Sequence, residues 1–468
     1  MQYGIKRKRL YREGKKVKVI IAGAGKVGTM LTRKLLAEGY EIILIDVDQQ
    51  VLEACTERYD VMAVQGNCAS METLEQANIK KADLLIAVSG GDEYNLLCCM
   101  TAHGINPDIH TIARIRKPEY GEQIYKMQDV FALSMNVNPE RQAALEIERL
   151  LKYPGFLRRD TFARGRAEMV ELKVSEKSKL CNVVLNDLDG IIRSKVLVCA
   201  VRRNGIVSAP DGNFVLREGD RIYVTATSKE LTNMLKNTGV ITHKVKRVML
   251  CGGGKVSFYL AQQLAKSGID VHLIEKEMSR CIELSNRLPD VSVICGDASD
   301  QNFLESEGVE QCDAVVALTS YDEMNMIISL YAQNYNVEQV ITKVDHTDNS
   351  KIQDALGLGS VICPKELCCN QIVRYVRAME NTTGAALSIH TFADGQMEAL
   401  EFRVDDKTLH CGEPLKALSL RKNVLIACIS HGKVAEIPNG DSTFSLDDRL
   451  VVVTNGDVVL HQLNDIFA

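Results

Sequence analysis

The apolar positions of this chain fall in short runs that alternate with amphipathic stretches. Val17–Ala22, Glu41–Ile45, Val61–Val64, Leu84–Val88 and His110–Arg114 are β-rich runs, and the segments between them carry apolar residues at helical spacing. Strand and helix in alternation predict a parallel sheet with helices on both faces. An apolar-periodic helix over Pro139–Leu151 follows the fifth run. Beyond it the pattern changes. Glu168–Val174, Val196–Arg202 and Arg221–Ala226 read as short strands, with turn signals at Arg203-Asn-Gly205 and Pro210-Asp-Gly212 between the last two. This predicts a small mixed α/β domain.

The whole pattern then returns at a nearly constant offset, 229 or 230 positions for the blocks of the nucleotide-binding half. Gly23-Ala-Gly-Lys-Val-Gly28 comes back as Gly252-Gly-Gly-Lys-Val-Ser257, Asp46 as Glu275, Gly66 as Gly296, and Ala82–Ser89 as Cys312–Thr319. Asp92-Glu93-Tyr-Asn95 comes back as Asp322-Glu323-Met-Asn325, the fifth strand as Gln339–Val344, and the closing helix as Lys365–Met379. The short strands of the tail recur at Glu398–Val404, Val424–Ile429 and Arg449–Val453. So long a period is not a solenoid; the repeating unit is a pair of domains. The fold class is therefore α/β: two Rossmann-like parallel-sheet domains, each followed by a small mixed α/β domain. The expected boundaries are a basic tail at 1–16, the first nucleotide-binding domain with its crossover helix at 17–152, and a small domain at 153–240. The second pair occupies 241–380 and 381–468, with linkers near Tyr153-Pro154-Gly155 and Asn381–Gly384.

Gly23-x-Gly25-x-x-Gly28 follows a strand and opens a helix, the context that gives this motif its meaning. The first glycine permits the turn, the second lets the backbone approach a pyrophosphate, and the third seats the helix on the strand. The helix N-terminus offers free amides and its dipole to the anion. Asp46, at the end of the next strand, suits a ribose diol and favours NAD or an adenine nucleotide over NADP. In the second half Ser257, Glu275 and Lys343 stand where the first has Gly28, Asp46 and Arg114. Lys26 and Lys255 follow the second glycine of each loop, within reach of phosphate or solvated on the first helical turn. Ser89 and Thr319 end the fourth strands. Arg114 ends the fifth and faces the same crevice, as a phosphate clamp or an inter-subunit contact. The acids and amides that begin the following helices, Glu93, Asn95, Glu323 and Asn325, rank second, because such residues commonly serve the helix dipole.

Composition adds exclusions. The 468 residues are 46% hydrophobic and 25% charged, as in ordinary globular domains, and a net charge of −5 gives no global pull toward nucleic acid. The 15 cysteines, including Cys98–Cys99 and Cys368–Cys369, follow no disulfide or zinc spacing and read as reduced core thiols. No apolar run approaches the ~18–20 residues of a spanning helix. Eight basic residues lie between Lys6 and Lys18 against Glu13 alone, and the apolar run after them is too short for a signal peptide. This arm reads as a mature tail, either solvated or meeting an anionic surface. No Tyr-x-x-x-Lys pair lies downstream of the glycine loop, Tyr11 and Lys15 preceding it; no HExxH or GxSxG occurs.

The blocks Gly-Ala-Gly-Lys-Val-Gly28, Ile-Asp46, Gln-Gly-Asn67, Ala-Val-Ser-Gly-Gly-Asp-Glu93, Ala-Arg114-Ile-Arg and Pro118-Glu-Tyr resemble the nucleotide-binding half of RCK (KTN) domains, and the tails resemble the associated RCK-C domain. Two such units in tandem resemble the TrkA family, peripheral cytosolic subunits of Trk potassium uptake systems. The resemblance covers Val17 to Phe467. It implies a non-enzymatic homotetrameric ring at the inner face of the membrane, binding NAD(H) and ATP or ADP to control a membrane-embedded potassium-translocating subunit. Carried over by position, the first site is Gly23, Ala24, Gly25, Lys26, Val27, Gly28, Asp46, Ser89, Gly90 and Arg114. The second is Gly252, Gly253, Gly254, Lys255, Val256, Glu275, Asp297, Thr319 and Lys343. The alternatives are an NAD-dependent oxidoreductase, which needs an acid or base beside the nicotinamide, and a scaffolding subunit with vestigial pockets.

Overall fold

The computed structural model describes residues 17–152, 156–163, 165–176, 178–238, 244–345, 356–380, 386–393, 396–455, 458, 460 and 462–468. The basic arm and both expected linkers lie outside the described residues.

The first half opens with strands β1 (Lys18–Ala22), β2 (Glu41–Asp46), β3 (Met62–Gln65), β4 (Leu84–Ala87), β5 (His110–Arg114) and β6 (Met135–Val137). They form one parallel sheet in the order β3-β2-β1-β4-β5-β6. All four residues of β4 and the last four of β1 are buried. Helices cover both faces of a doubly wound sheet, so its central strands are continuously apolar rather than alternating. Next come β7 (Phe156–Phe162), β8 (Ala167–Lys173), β9 (Leu197–Arg203), β10 (Ile206–Ser208) and β11 (Arg221–Ala226), an antiparallel sheet ordered β10-β9-β11-β8-β7.

The second half repeats both sheets. β12 (Arg247–Cys251), β13 (Asp270–Glu275), β14 (Ser292–Cys295), β15 (Ala314–Ala317), β16 (Gln339–Lys343) and β17 (Ser360–Ile362) are parallel in the order β14-β13-β12-β15-β16-β17. β18 (Ser388–Phe392), β19 (Met397–Arg403), β20 (Val424–His431), β21 (Val434–Glu436) and β22 (Arg449–Asn455) form the antiparallel sheet β18-β19-β22-β20-β21. The sequence pattern marked five strands per parallel sheet. The sixth, β6 or β17, is three residues long, too short to display a period.

The chain divides into two compact units, and the closing helices change places between them. Of the described residues, one unit holds those up to 139 with 365–380, and the other holds those from 140 to 364 and from 386 onward. In the first unit, Cys368, Cys369, Ile372, Val373 and Val376 of the helix Pro364–Glu380 are buried against Val19, Ile21, Val27, Leu31 and Leu35 of the first parallel domain. Polar contacts fix that seating. Arg377 donates to both carboxylate oxygens of Glu38 at 2.7 and 2.5 Å, and Lys34 Nζ donates to Asn370 Oδ1 at 2.6 Å.

In the second unit, the helix Pro139–Lys152 buries Ala143, Ala144, Ile147, Leu150 and Leu151, and Gln339 of β16 donates to the Leu150 carbonyl at 2.8 Å. The two antiparallel sheets of this unit share one core. Phe162, Met169, Cys199 and Tyr223 pack with Phe392, Met397, Cys428 and Val451, with ring centroids 5.0 Å apart for Tyr223 and Phe392.

Candidate functional site

Strand order in each parallel sheet reverses between the first and fourth strands, β1/β4 and β12/β15. Ligands of such sheets lie in the crevice outside the carboxyl ends of the strands at that switch. The glycine loops sit there. Gly23 leaves β1 with φ +106° and donates to the Ile45 carbonyl at 2.8 Å; Gly252 leaves β12 with φ +112° and donates to the Ile274 carbonyl at 2.8 Å. A Cβ on Gly23 would lie 2.8 Å from the Ser89 amide nitrogen, and one on Gly28 would lie 1.8 Å from the Gly23 carbonyl oxygen. A Cβ on Gly25 or Gly254 would meet nothing within 4 Å. These two glycines therefore border open space. They also cap the helices Lys26–Ala37 and Lys255–Lys266 without a side chain of their own, so the first-turn amides face that space with the dipole behind them.

The acids at the second strand ends hold the loops. Asp46 Oδ2 accepts from the Ala24 amide at 2.6 Å, and Glu275 Oε2 accepts from the Gly253 amide at 2.7 Å. Their other oxygens accept from Asp48 N at 3.0 Å and Glu277 N at 2.8 Å. The extra methylene of Glu275 is matched locally. A Cβ on Gly253 would lie 2.7 Å from Glu275 Oε2, so glycine stands where the first loop carries Ala24. Ser257 is accommodated too: fully buried, it donates its hydroxyl to the Gly252 carbonyl. Both departures thus find hydrogen-bond partners within the second loop.

The fourth and fifth strand ends are tied by a buried amide that the sequence ranked second. Asn95 Oδ1 accepts from Ser89 N at 2.8 Å and Ser89 Oγ at 2.7 Å, while its Nδ2 donates to the Arg114 carbonyl at 2.8 Å. Asn325 repeats this with Thr319 N at 2.8 Å, Thr319 Oγ1 at 2.7 Å and the Lys343 carbonyl at 3.0 Å. Both asparagines are fully buried. Arg114 Nη2 donates to the Ser89 carbonyl at 2.7 Å and Lys343 Nζ to the Thr319 carbonyl at 2.9 Å, so arginine and lysine reach the same point of their crevices.

The remaining candidates fall around these frames. Val27 and Val256 are buried and anchor the helices; Lys26 and Gly90 are exposed, and Lys255 is half-buried. Asp297 follows β14 and pairs with Lys276 at 2.7 Å, which with Ser299 holds its carboxyl down at about 2. In the first crevice Lys117 and Tyr120 hydrogen-bond Glu93 and hold it at about 2. Arg280, which the motifs gave no reason to single out, donates to the Gly253 carbonyl at 3.0 Å and brings a cation to the second loop. Among the described residues no cluster suits a metal ion, and no helix is long and apolar enough to cross a membrane.

Known proteins repeat this order. Residues 19–133 and 248–364 match the TrkA-N domain family, and residues 169–239 match the TrkA-C domain family. The chain is 34% identical over 452 residues to the Trk system potassium uptake protein TrkA homolog of Archaeoglobus fulgidus, covering 96% of this chain and 100% of that protein. It is 30% identical over 444 residues to the Trk system potassium uptake protein TrkA homolog 1 of Methanosarcina mazei, covering 93% and 97%. Among solved structures, the GsuK channel bound to NAD aligns with a TM-score of 0.61 at 16% identity, over 96% of this chain and 78% of that one, a likeness of fold.

Proposed function

The chain belongs to the family of Trk system potassium uptake proteins TrkA, and from that premise we propose that it is a non-enzymatic, nucleotide-gated regulatory subunit of such a system. It binds NAD(H) and ATP or ADP in the two crevices and acts from the cytosol on a membrane-embedded potassium-translocating subunit. One observation carries this reading: the same frame of acid, glycine loop, buried asparagine and strand-end cation is built twice in one chain. Each frame leaves open space at the helix N-terminus, the place for a pyrophosphate, and puts a carboxylate where a ribose diol binds. The GsuK channel, whose fold this chain shares, was solved with NAD.

A nucleotide acts here by preferring one conformation of the assembly over another, so its differential affinity, not chemistry, is the output. Assembly as a homotetrameric ring is supported by exposed apolar side chains on the helices beside each crevice: Tyr94, Leu97 and Met100 on Asp92–Ile105, and Ile327 on Asp322–Asn334.

The test is potassium uptake in cells carrying Gly25→Ala at normal protein levels. The added methyl enters open space and not the protein, so the fold is expected to survive while the crevice loses its phosphate approach. Uptake that no longer responds to nucleotide state is the expected result; unchanged uptake and response overturn the reading.

A further inference from the structure

The corner that carries Glu275 also carries two thiols. β14 ends in Cys295, in register with Glu275, and the helix Met278–Arg287 places Cys281 on its first turn. Cys281 Sγ donates to the Glu275 carbonyl at 3.2 Å, and Cys295 Sγ donates to the next carbonyl, Lys276, at 3.8 Å. The two thiols thus sit on consecutive carbonyls of one corner. Cys295 is exposed and Cys281 is buried behind it. The first half has Leu52 and Gln65 at these places, so the arrangement belongs to the second crevice alone.

From this geometry we propose that Cys281 and Cys295 are a reversible disulfide site that makes the second crevice responsive to peroxide. The effect on the crevice rests on reading Glu275 as a ligand group; the disulfide itself does not. Burial first and the neighbouring Cys295 second push the Cys281 thiol up to about 11, so it keeps its proton and Cys295 supplies the attacking sulfur. With hydrogen peroxide as oxidant, the Cys295 thiolate attacks one oxygen, the O–O bond breaks, and a sulfenic acid and hydroxide form, the hydroxide taking a proton to become water. The Cys281 sulfur then attacks the sulfenic sulfur, the S–O bond breaks, and a second water leaves carrying the Cys281 proton. Two thiols are oxidised and one peroxide is reduced to two waters. A dithiol reductant reverses the reaction by exchange.

Closure has a structural consequence. The sulfurs join in a bond of about 2 Å, and both S–H donors to carbonyls 275 and 276 disappear. The Glu275 carboxylate on that corner is what holds the Gly253 and Glu277 amides. Cys68 and Cys98 share a core near the first crevice, but both are buried away from solvent oxidants and serve as an internal comparison.

The experiment treats the full chain with hydrogen peroxide, alkylates the remaining thiols and maps the peptides. The expected result is a peptide joining Cys281 to Cys295, absent after reduction and absent in Cys295→Ser, with Cys68 and Cys98 still alkylated separately after unfolding. In the oxidised wild type the Gly253 and Glu277 amides exchange hydrogen about tenfold faster, and in peroxide-treated Cys295→Ser they do not. Separate alkylation of Cys281 and Cys295 overturns the proposal, as does a cross-linked chain whose two amides exchange as in the reduced form. Failure of the reduced chain to bind nucleotide would instead overturn the reading of the crevice.

Discussion

Asp46 and Glu275 differ by one methylene, yet each holds the amide 22 residues before it. The difference is absorbed by their neighbours: Ala24, Asp46 and Cys55 in the first crevice, Gly253, Glu275 and Leu284 in the second. Gly253→Ala is therefore expected to cost about 1–3 kcal/mol by overpacking, since its Cβ would meet Glu275 Oε2 and Leu284 Cδ1 at 2.7 Å each. Adding Glu275→Asp is expected to recover about half of that cost, the remainder being the contact with Leu284. A double-mutant cycle of urea unfolding checks this, and additive effects would contradict it. The glycines and acids were legible because their chemistry is local. Asn95 and Asn325 were undervalued because their partners, the carbonyls of Arg114 and Lys343, arrive from strands 18 or 19 positions away. A buried asparagine announces itself only once the strands are paired.

Among the elements, the two helices that follow the parallel sheets carry the least expected information. Both were legible as apolar-periodic helices, but periodicity shows that a face is buried and not against what. The helix Pro364–Glu380 completes the core over β1 and the helix Lys26–Ala37, more than 300 residues earlier in the chain. Ile372→Ala, at a fully buried position in that core, is expected to destabilise the first unit by about 2–5 kcal/mol. Hydrogen exchange at the β1 amides Ile20 and Ile21 is the readout. Loss of protection confined to the second parallel domain would contradict the assignment. The strand β7 escaped the pattern for a physical reason other than shortness. β7 reads Phe-Leu-Arg-Arg-Asp-Thr-Phe, polar in its middle because Arg158 and Asp160 pair there at 3.0 Å and Arg159 reaches the buried Glu168 at 2.7 and 2.5 Å. Charges satisfied inside a fold look, in sequence, like charges facing water.

At the scale of the molecule, the second unit contains a largely buried acid with a pH signature. Glu146 is pushed up to about 7, by burial first and by the charge of Asp160 second, against the pull of Arg149 and Arg158. Asp160 in turn meets His390 of β18 at 3.0 Å. A carboxyl whose folded pKa lies above its unfolded value of about 4.3 favours the native state while protonated. Its contribution is present below the unfolded value and lost as pH rises through about 7. Between about pH 5 and pH 8 this group is expected to withdraw up to about 3 kcal/mol from the second unit. Glu146→Gln should flatten that part of the stability profile, and an unchanged pH dependence would contradict the assignment.

The duplication was the most legible feature of the sequence, and the structure sharpens it. The second half departs at Ser257, Glu275 and Lys343; Glu275 and Lys343 keep the hydrogen bonds of the residues they replace, and Ser257 adds one to the Gly252 carbonyl. What the sequence left out is how the second crevice differs: Arg280 at its loop and a thiol pair at its acid. The central claim is that one chain carries two working nucleotide sites that are not alike. Calorimetric titration of the full chain with NADH, ATP and ADP, repeated on Asp46→Ala, tests it most directly. Two binding events per chain of unequal affinity, with only one weakened at least tenfold in the variant, is the predicted result. A single event per chain, or two weakened together, would contradict it.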